Sequence, residues 1–174
     1  MLEVGDVKYM IRDFLPADIS YVVDAHTKIY GDEYNFDTSF RDYIVETTRR
    51  FITNFDSERE NLWIMERDGQ PVGSIAIVKL DNTTAQLRWF LLEPQARGLG
   101  LGHELIYTAI SFSKAKGYRT ICLWTSNLLI AARHLYGQHG FVLTERTEQI
   151  RSGMLLIEER WELDLGEDFL EKGV

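Results

Sequence analysis

The sequence predicts a mixed α/β fold, a mostly antiparallel sheet with helices on both faces, and three observations carry that prediction. Apolar residues recur at helical spacing across 19–29 and again across 40–55. Apolar or alternating runs then follow one another between short turns at 62–66, 72–80 and 85–92, and a glycine-rich loop opens a third helix. The remainder reads as a strand, a short helix and a hairpin, giving the order β-α-α-β-β-β-α-β-α-β-β without internal repeats.

Residues Val7–Phe14 set Val7, Tyr9 and Ile11 against Lys8 and Arg12 and read as the first strand. Pro16 sits where a helix can begin, because the first turn needs no N–H from it. Ile19, Val22, Val23, His26 and Ile29 form that helix's apolar stripe, and Gly31 is expected to end it. Phe40, Tyr43, Ile44, Thr47, Phe51, Ile52 and Phe55 define a second amphipathic helix from about Ser39. Leu62–Glu66 and Val72–Leu80 flank Asp68-Gly69 as a hairpin, and Asp81-Asn82 turns the chain into strand Ala85–Leu92.

Helix Leu101–Lys116 shows an apolar face at Leu101, Leu105, Ala109 and Phe112 and stops at Gly117. Arg119–Thr125 reads as a central buried strand, and a short helix runs over Leu129–Gln138. Phe141–Gln149 and Met154–Leu165 close the fold as a hairpin around Ser152-Gly153, and the acidic tail Gly166–Val174 is expected to fray. Trp63, Trp89, Trp124 and Trp161 all fall in strands and read as core packing, with Trp89, in the strand that leads into the glycine-rich loop, also placed to border a ligand.

A chain of 174 residues makes one ordinary domain, and 45% hydrophobic with 26% charged residues is the balance of a folded protein. The lone Cys122 allows neither an internal disulfide nor a thiolate cluster, and reads as a reduced core residue in a cytoplasmic protein. No apolar run has the length to span a bilayer, and the first residues lack a signal-peptide pattern, so no membrane partner is expected. With 19 basic against 27 acidic residues the net charge is −8, which disfavours nucleic acid and favours an amine ligand. His134 and His139 lie about 140° apart on a helix and His103 precedes no ligand pattern, so no metal is expected.

The informative stretch is Leu87–Leu105, where an apolar strand breaks at Pro94, crosses Gly98, Gly100 and Gly102, and becomes a helix. Glycines before a helix N-terminus let backbone N–H groups converge on phosphate, and the helix dipole adds partial positive charge. Arg97 can add a full one. No Gly-Lys-Ser/Thr occurs, which excludes a P-loop. A dinucleotide fingerprint would need glycine where His103 stands and would follow the first strand of the chain. What remains is Gln95-x-x-Gly98-x-Gly100.

That spacing resembles the pyrophosphate loop of the GNAT superfamily of N-acetyltransferases, Gln/Arg-x-x-Gly-x-Gly/Ala. Ala132, Tyr136, Gly140 and Phe141 match the downstream Ala-x-x-x-Tyr-x-x-x-Gly-Phe signature in register. The segments 26–34, 123–126 and 131–136 further resemble the GNAT domain fused behind MarR-type regulators, over most of residues 7–165. On that reading the DNA-binding half would be missing, since Met1 almost directly precedes the first strand.

The resemblance implies acetyl-CoA as cosubstrate, with its pantetheine arm between a splayed fourth and fifth strand, and direct attack by a primary amine of a small molecule or peptide. Amides from Gly98 through Leu99, Gly100, Leu101, Gly102 and His103, with Gln95 and Arg97 nearby, would hold the diphosphate. The N–H of Leu92 would meet the thioester oxygen, with Phe90 and Leu91 beside the pantetheine, unless these are ordinary sheet bonds. Tyr136 matches the general acid, a phenol whose pKa lies near that of the leaving thiol; the alternative is a purely packing tyrosine.

A base or acceptor wall could come from His26, Glu33, Tyr34 or water, with His26 also readable as a core histidine and Glu33 as a solvated charge. The asparagine found in many relatives seven residues before the tyrosine is Leu129 here, and Asn127 is the nearest substitute. The competing function is a non-catalytic acyl-CoA sensor. Two copies of the chain could meet at the final hairpin.

Overall fold

A computed structural model describes residues 2–4 and 6–166; the acidic tail lies, from residue 167 on, outside the described residues. The chain forms β1 (Leu2–Val4), β2 (Val7–Asp13), α1 (Asp18–Tyr34), α2 (Thr38–Thr53), β3 (Asn61–Arg67), β4 (Gln70–Lys79) and β5 (Thr84–Leu92). After a 3-10 turn at Pro94–Ala96 come α3 (Leu101–Ala115), β6 (Thr120–Ser126), α4 (Ile130–Gln138), β7 (Val142–Arg151) and β8 (Met154–Asp164). One sheet holds all the strands in the order β1-β2-β3-β4-β5-β6-β8-β7. Neighbours are antiparallel except β5 and β6, which run parallel. The predicted fold class and element order hold, with β1 added as a short edge strand.

Strand alternation explains the layers. In β3, Leu62 and Ile64 pack with Val22, Val23, Ile44 and Phe51 of α1 and α2, while Trp63 and Met65 pack with Leu105, Ile106 and Ala109 of α3. A strand buried on both faces needs helices on both sides. The helix ends follow local chemistry: Asp37 caps α2 by accepting the Ser39 N–H at 2.9 Å.

Two expectations are corrected here. α1 does not stop at Gly31 but runs on to Tyr34, ending where Asn35 turns left-handed at φ 58° and donates its N–H to the Gly31 carbonyl. One interior glycine costs about 1 kcal/mol, and the last turn gains the ring contacts of Tyr30 and Tyr34 with Phe36. Trp124 is not core: it is 44% exposed, on the side of β6 that faces the cavity described below.

The hairpin β7–β8 is anchored to α4 by Glu159. This carboxylate is 1% exposed and accepts from Arg133 at 2.8 and 3.1 Å, Arg146 at 3.2 Å and Trp161 Nε1 at 3.1 Å. Burial opposes its ionisation, but those donors outweigh burial and hold its pKa below the usual range. Glu159→Ala is expected to cost about 2 kcal/mol, modest for a buried ion because both arginines can turn to water. A lowered urea midpoint at unchanged m-value is the readout.

Candidate active site

β5 and β6 pair only at Thr84–Thr120, Ala85–Ile121 and Gln86–Cys122, and then separate. The cause lies on the other edge of β5. Ala76 pairs with Arg88 and Ser74 with Leu91, so Trp89 and Phe90 together oppose Ile75 as a bulge. Trp89 takes a left-handed φ of 48°, a costly conformation for a bulky residue, and is held there by two contacts. Its carbonyl accepts the Ser74 hydroxyl at 2.6 Å, and its ring meets Phe51 of α2 at 5.3 Å. Beyond Gln86 the β6-facing edge of β5 has no strand partner among the described residues.

The gap opens into a cavity of about 600 Å³. α1, α2 and the connection between them contribute His26, Tyr30, Phe36, Phe40 and Tyr43, β5 contributes Gln86 to Phe90, and β6 with its following loop contributes Leu123 to Ser126 and Leu129. The β7–β8 hairpin closes the far side, its tip fastened to the α1–α2 connection by the Asp37 N–H donating to Ser152 Oγ at 2.8 Å.

At one end of the gap lies the glycine loop. Gly98 and Gly100 hold φ of 74° and 78°, which only glycine adopts without strain, and α3 starts at Leu101. The N–H groups of Leu99, Gly100, Leu101 and Gly102 take no carbonyl among the described residues. Gly102 is small for a different reason: a Cβ there would stand 2.9 Å from Leu135 Cδ2 of α4. Gln95 lies upstream in the 3-10 turn and donates to Glu93.

Arg97 is not the open charge expected beside the loop. Its Nε donates to the Leu92 carbonyl at 3.0 Å and its Nη1 meets Glu33 at 2.9 Å. Because α1 runs past Gly31, Glu33 reaches this loop instead of the cavity. Tyr34 likewise stays outside the cavity lining and joins an aromatic cluster with Tyr30 and Phe36. This wall of the cavity is built instead by Tyr30, Phe36, Phe40 and Tyr43, of which Phe40 and Tyr43 read in the sequence as the apolar face of the second helix.

Tyr136 stands on α4 between Phe90 and Phe141, with ring centroids 6.0 and 5.8 Å away. It is 5% exposed, lines the cavity, and burial pushes its phenol pKa well above the usual value. The expected match to a free thiol is therefore corrected upward. A thiolate in the same apolar surroundings is raised for the same reason, so the two remain comparable acids.

His26, 3% exposed, places Nδ1 2.7 Å from the Val22 carbonyl, so Nδ1 carries the proton and Nε2 keeps its lone pair without a partner. Burial pulls its pKa down to about 4, against a raising effect of that carbonyl bond. The ring stacks on Tyr30 at 5.8 Å. Asn127 turns toward β8, where its Oδ1 accepts the Ile157 N–H at 3.2 Å, and Leu129 takes the place on the cavity wall. Leu91 packs against Ala25 and Ile29 of α1, and Leu92 pairs with Gly73.

One joint was invisible in the sequence. His103 in the first turn of α3 and His139 at the end of α4 meet at 2.9 Å between Nδ1 and Nε2, tying the loop to the tyrosine helix. Among the described residues no group of three or more metal-ligating side chains converges, and no helix is long and apolar enough to cross a membrane.

A parallel pair that splays beside a helix start with free amides, with a buried tyrosine across the gap, is the arrangement that the resemblance to N-acetyltransferases implies. The chain belongs to the acetyltransferase (GNAT) family, whose model matches residues 23–141. It is 33% identical over 97 residues to N-acetyltransferase family 8 member 3 of Rattus norvegicus, covering 53% of this chain and 42% of that protein. An uncharacterized N-acetyltransferase of Methanocaldococcus jannaschii is 25% identical over 157 residues, covering 86% of this chain and 66% of the relative. The chain spans about half the length of most of the curated relatives it matches.

Among solved structures, a GNAT-family acetyltransferase of Staphylococcus aureus superposes with TM-score 0.74 at 19% identity, covering 91% of this chain and 100% of the other. The spermidine N-acetyltransferase of Vibrio cholerae, solved with CoA and spermine, does so with TM-score 0.70 at 18% identity, covering 90% and 95%.

Proposed function

We propose that this chain transfers the acetyl group of acetyl-CoA to a primary amine of a small molecule or peptide by direct attack. The observation that carries the reading is a juxtaposition: the unpartnered amides at Leu99–Gly102 open α3, Gly102 faces Phe90, and Phe90 lines the same cavity as Tyr136. A fold neighbour, yncA of Salmonella typhimurium, was solved with its cofactor acetyl-CoA, which supports the choice of cosubstrate.

Acetyl-CoA supplies an acyl group activated as a thioester. In this reading the amides of Gly98 to Gly102 hold the diphosphate, with Gln95 and Arg97 at the rim; the His103 N–H, expected to join them, is instead taken by the Gly100 carbonyl at 3.0 Å. The free edge of β5 around Phe90, Leu91 and Leu92 donates to the pantetheine and to the thioester oxygen as it gains negative charge. The amine nitrogen bonds to the carbonyl carbon, the C–S bond breaks, the Tyr136 hydroxyl gives its proton to the departing sulfur, and the proton shed by the newly acylated nitrogen passes through water to restore the phenol. With a pKa near 4, His26 is too weak a base to deprotonate an alkylammonium, so water takes that proton. The lone pair on His26 Nε2 instead accepts an N–H of the neutral amine, beside Trp89. Glu33 contributes by holding Arg97, and Tyr34 by packing behind Tyr30.

The buried, reduced Cys122 supports a cytoplasmic setting. Exposed Ile150 and Leu155, cross-strand partners on the β7–β8 hairpin, support pairing of two copies there.

Gly100→Val tests the loop. A β-branched residue at φ 78° must reshape the turn, and CoA binding by calorimetry is expected to weaken about 10- to 100-fold. Unchanged affinity would move the diphosphate elsewhere. CoA binding without thiol release on any amine would instead leave an acyl-CoA sensor, as the likeness to domains fused behind MarR-type regulators allows.

A further inference from the structure

The chain carries 27 acidic against 19 basic residues, yet the charge left unpaired in its cavity is positive. The lining holds three permanently charged side chains, Arg88, Arg151 and Glu158. Arg151 and Glu158 neutralise each other at 2.9 Å. Arg88 has no carboxylate partner among the described residues. Its Nε donates to the neutral Gln86 Oε1 at 3.0 Å and its guanidinium stands 6.0 Å from the Trp89 ring centre, while both terminal nitrogens lack a partner among the described residues.

Two other partly buried arginines are met by carboxylates, Arg12 by Asp18 and Glu66 and Arg133 by Glu159. A half-buried guanidinium whose Nε is tethered and whose terminal fork is vacant matches a carboxylate, which accepts two parallel N–H bonds. Arg88 also immediately precedes the bulge at Trp89, where the cofactor strand leaves its neighbour. Around it the wall is aromatic, with Tyr30 and Phe40 stacked at 4.7 Å and Tyr43, Trp89 and Trp124 alongside.

We infer that Arg88 anchors a carboxylate of the acceptor, and that the acceptor class is an α-amino acid with an apolar side chain. The assignment rests on the transferase reading for its reaction but not for its binding. The net charge of −8 draws ammonium groups toward the molecule at long range, and Arg88 then selects those that also bear an anion. A polyamine brings only positive charge to Arg88 and is disfavoured.

The test titrates N-acetyl-L-phenylalanine and N-(2-phenylethyl)acetamide, which differ by the carboxylate, into the protein with and without CoA. The wild type is expected to prefer the carboxylate about 10- to 100-fold. Arg88→Gln should abolish that preference without changing affinity for the neutral amide, and Arg88→Lys should retain part of it. In turnover, L-phenylalanine should exceed 2-phenylethylamine by a similar factor in kcat/KM, lost in Arg88→Gln mainly through KM.

Equal wild-type binding of the two amides, or an equal loss of both in Arg88→Gln, overturns the assignment. So does a matching loss of CoA affinity, which would give Arg88 to a cofactor phosphate. Acetylation of spermidine or 2-phenylethylamine as fast as phenylalanine overturns it while sparing the transferase reading. Carboxylate-dependent binding without thiol release supports Arg88 and sinks the transferase.

Discussion

Tyr136→Phe is expected to lower the maximal rate of thiol release about 10²- to 10⁴-fold while CoA affinity stays within a factor of two or so, as befits loss of one general acid. The substitution keeps the ring between Phe90 and Phe141, so packing is preserved and only the hydroxyl is lost. That separates an acid from a packing tyrosine. The pH profile sharpens the test. Because burial keeps the phenol protonated beyond its ordinary range, the wild-type rate should show no alkaline fall near the ordinary tyrosine pKa of about 10. A variant with unchanged maximal rate across the whole range would reduce Tyr136 to a wedge between β5 and α4.

The fold was legible because its signals are local. Periods of two and 3.6 residues, Asp68-Gly69 and Ser152-Gly153 place nearly every element within a few residues of its observed limits. The failures share one physical origin, in that they depend on what lies across space. α1 outruns Gly31 because Asn35 takes over as the left-handed cap, and the extra turn carries Glu33 to Arg97. Asn35 is a signal that could have been read, since asparagine is the commonest substitute for glycine there.

The site divides in the same way. Glycines at φ above zero leave a trace in residue type, so the loop could be found. The bulge at Trp89 left none, because a tryptophan in left-handed backbone is tolerated only through Ser74 and Phe51, residues distant in sequence. Arg88 was equally silent. An arginine in a strand says nothing until one sees that no acidic side chain comes to meet it.

The second large effect concerns stability and pH. His26 should make the folded state lose about 3 kcal/mol between pH 6.5 and pH 4, since its pKa falls from 6.5 to about 4 and each unit is worth about 1.4 kcal/mol. The sign follows from which state holds the proton. Above pH 6.5 the ring is neutral folded or unfolded, and the stability is fully present. Below it the unfolded ring takes a proton that the buried ring refuses until about pH 4, so unfolding gains with every step of acidification.

His26→Leu should flatten the stability curve over that window relative to wild type, leaving the carboxylate-driven loss at lower pH in place. Urea melts at half-unit intervals measure it, and an imidazole signal titrating near pH 6.5 in the folded protein would contradict it. The same ring links stability to acceptor binding. An amine that donates to Nε2 competes with the proton for one lone pair, so a bound acceptor should displace the His26 titration further toward acid.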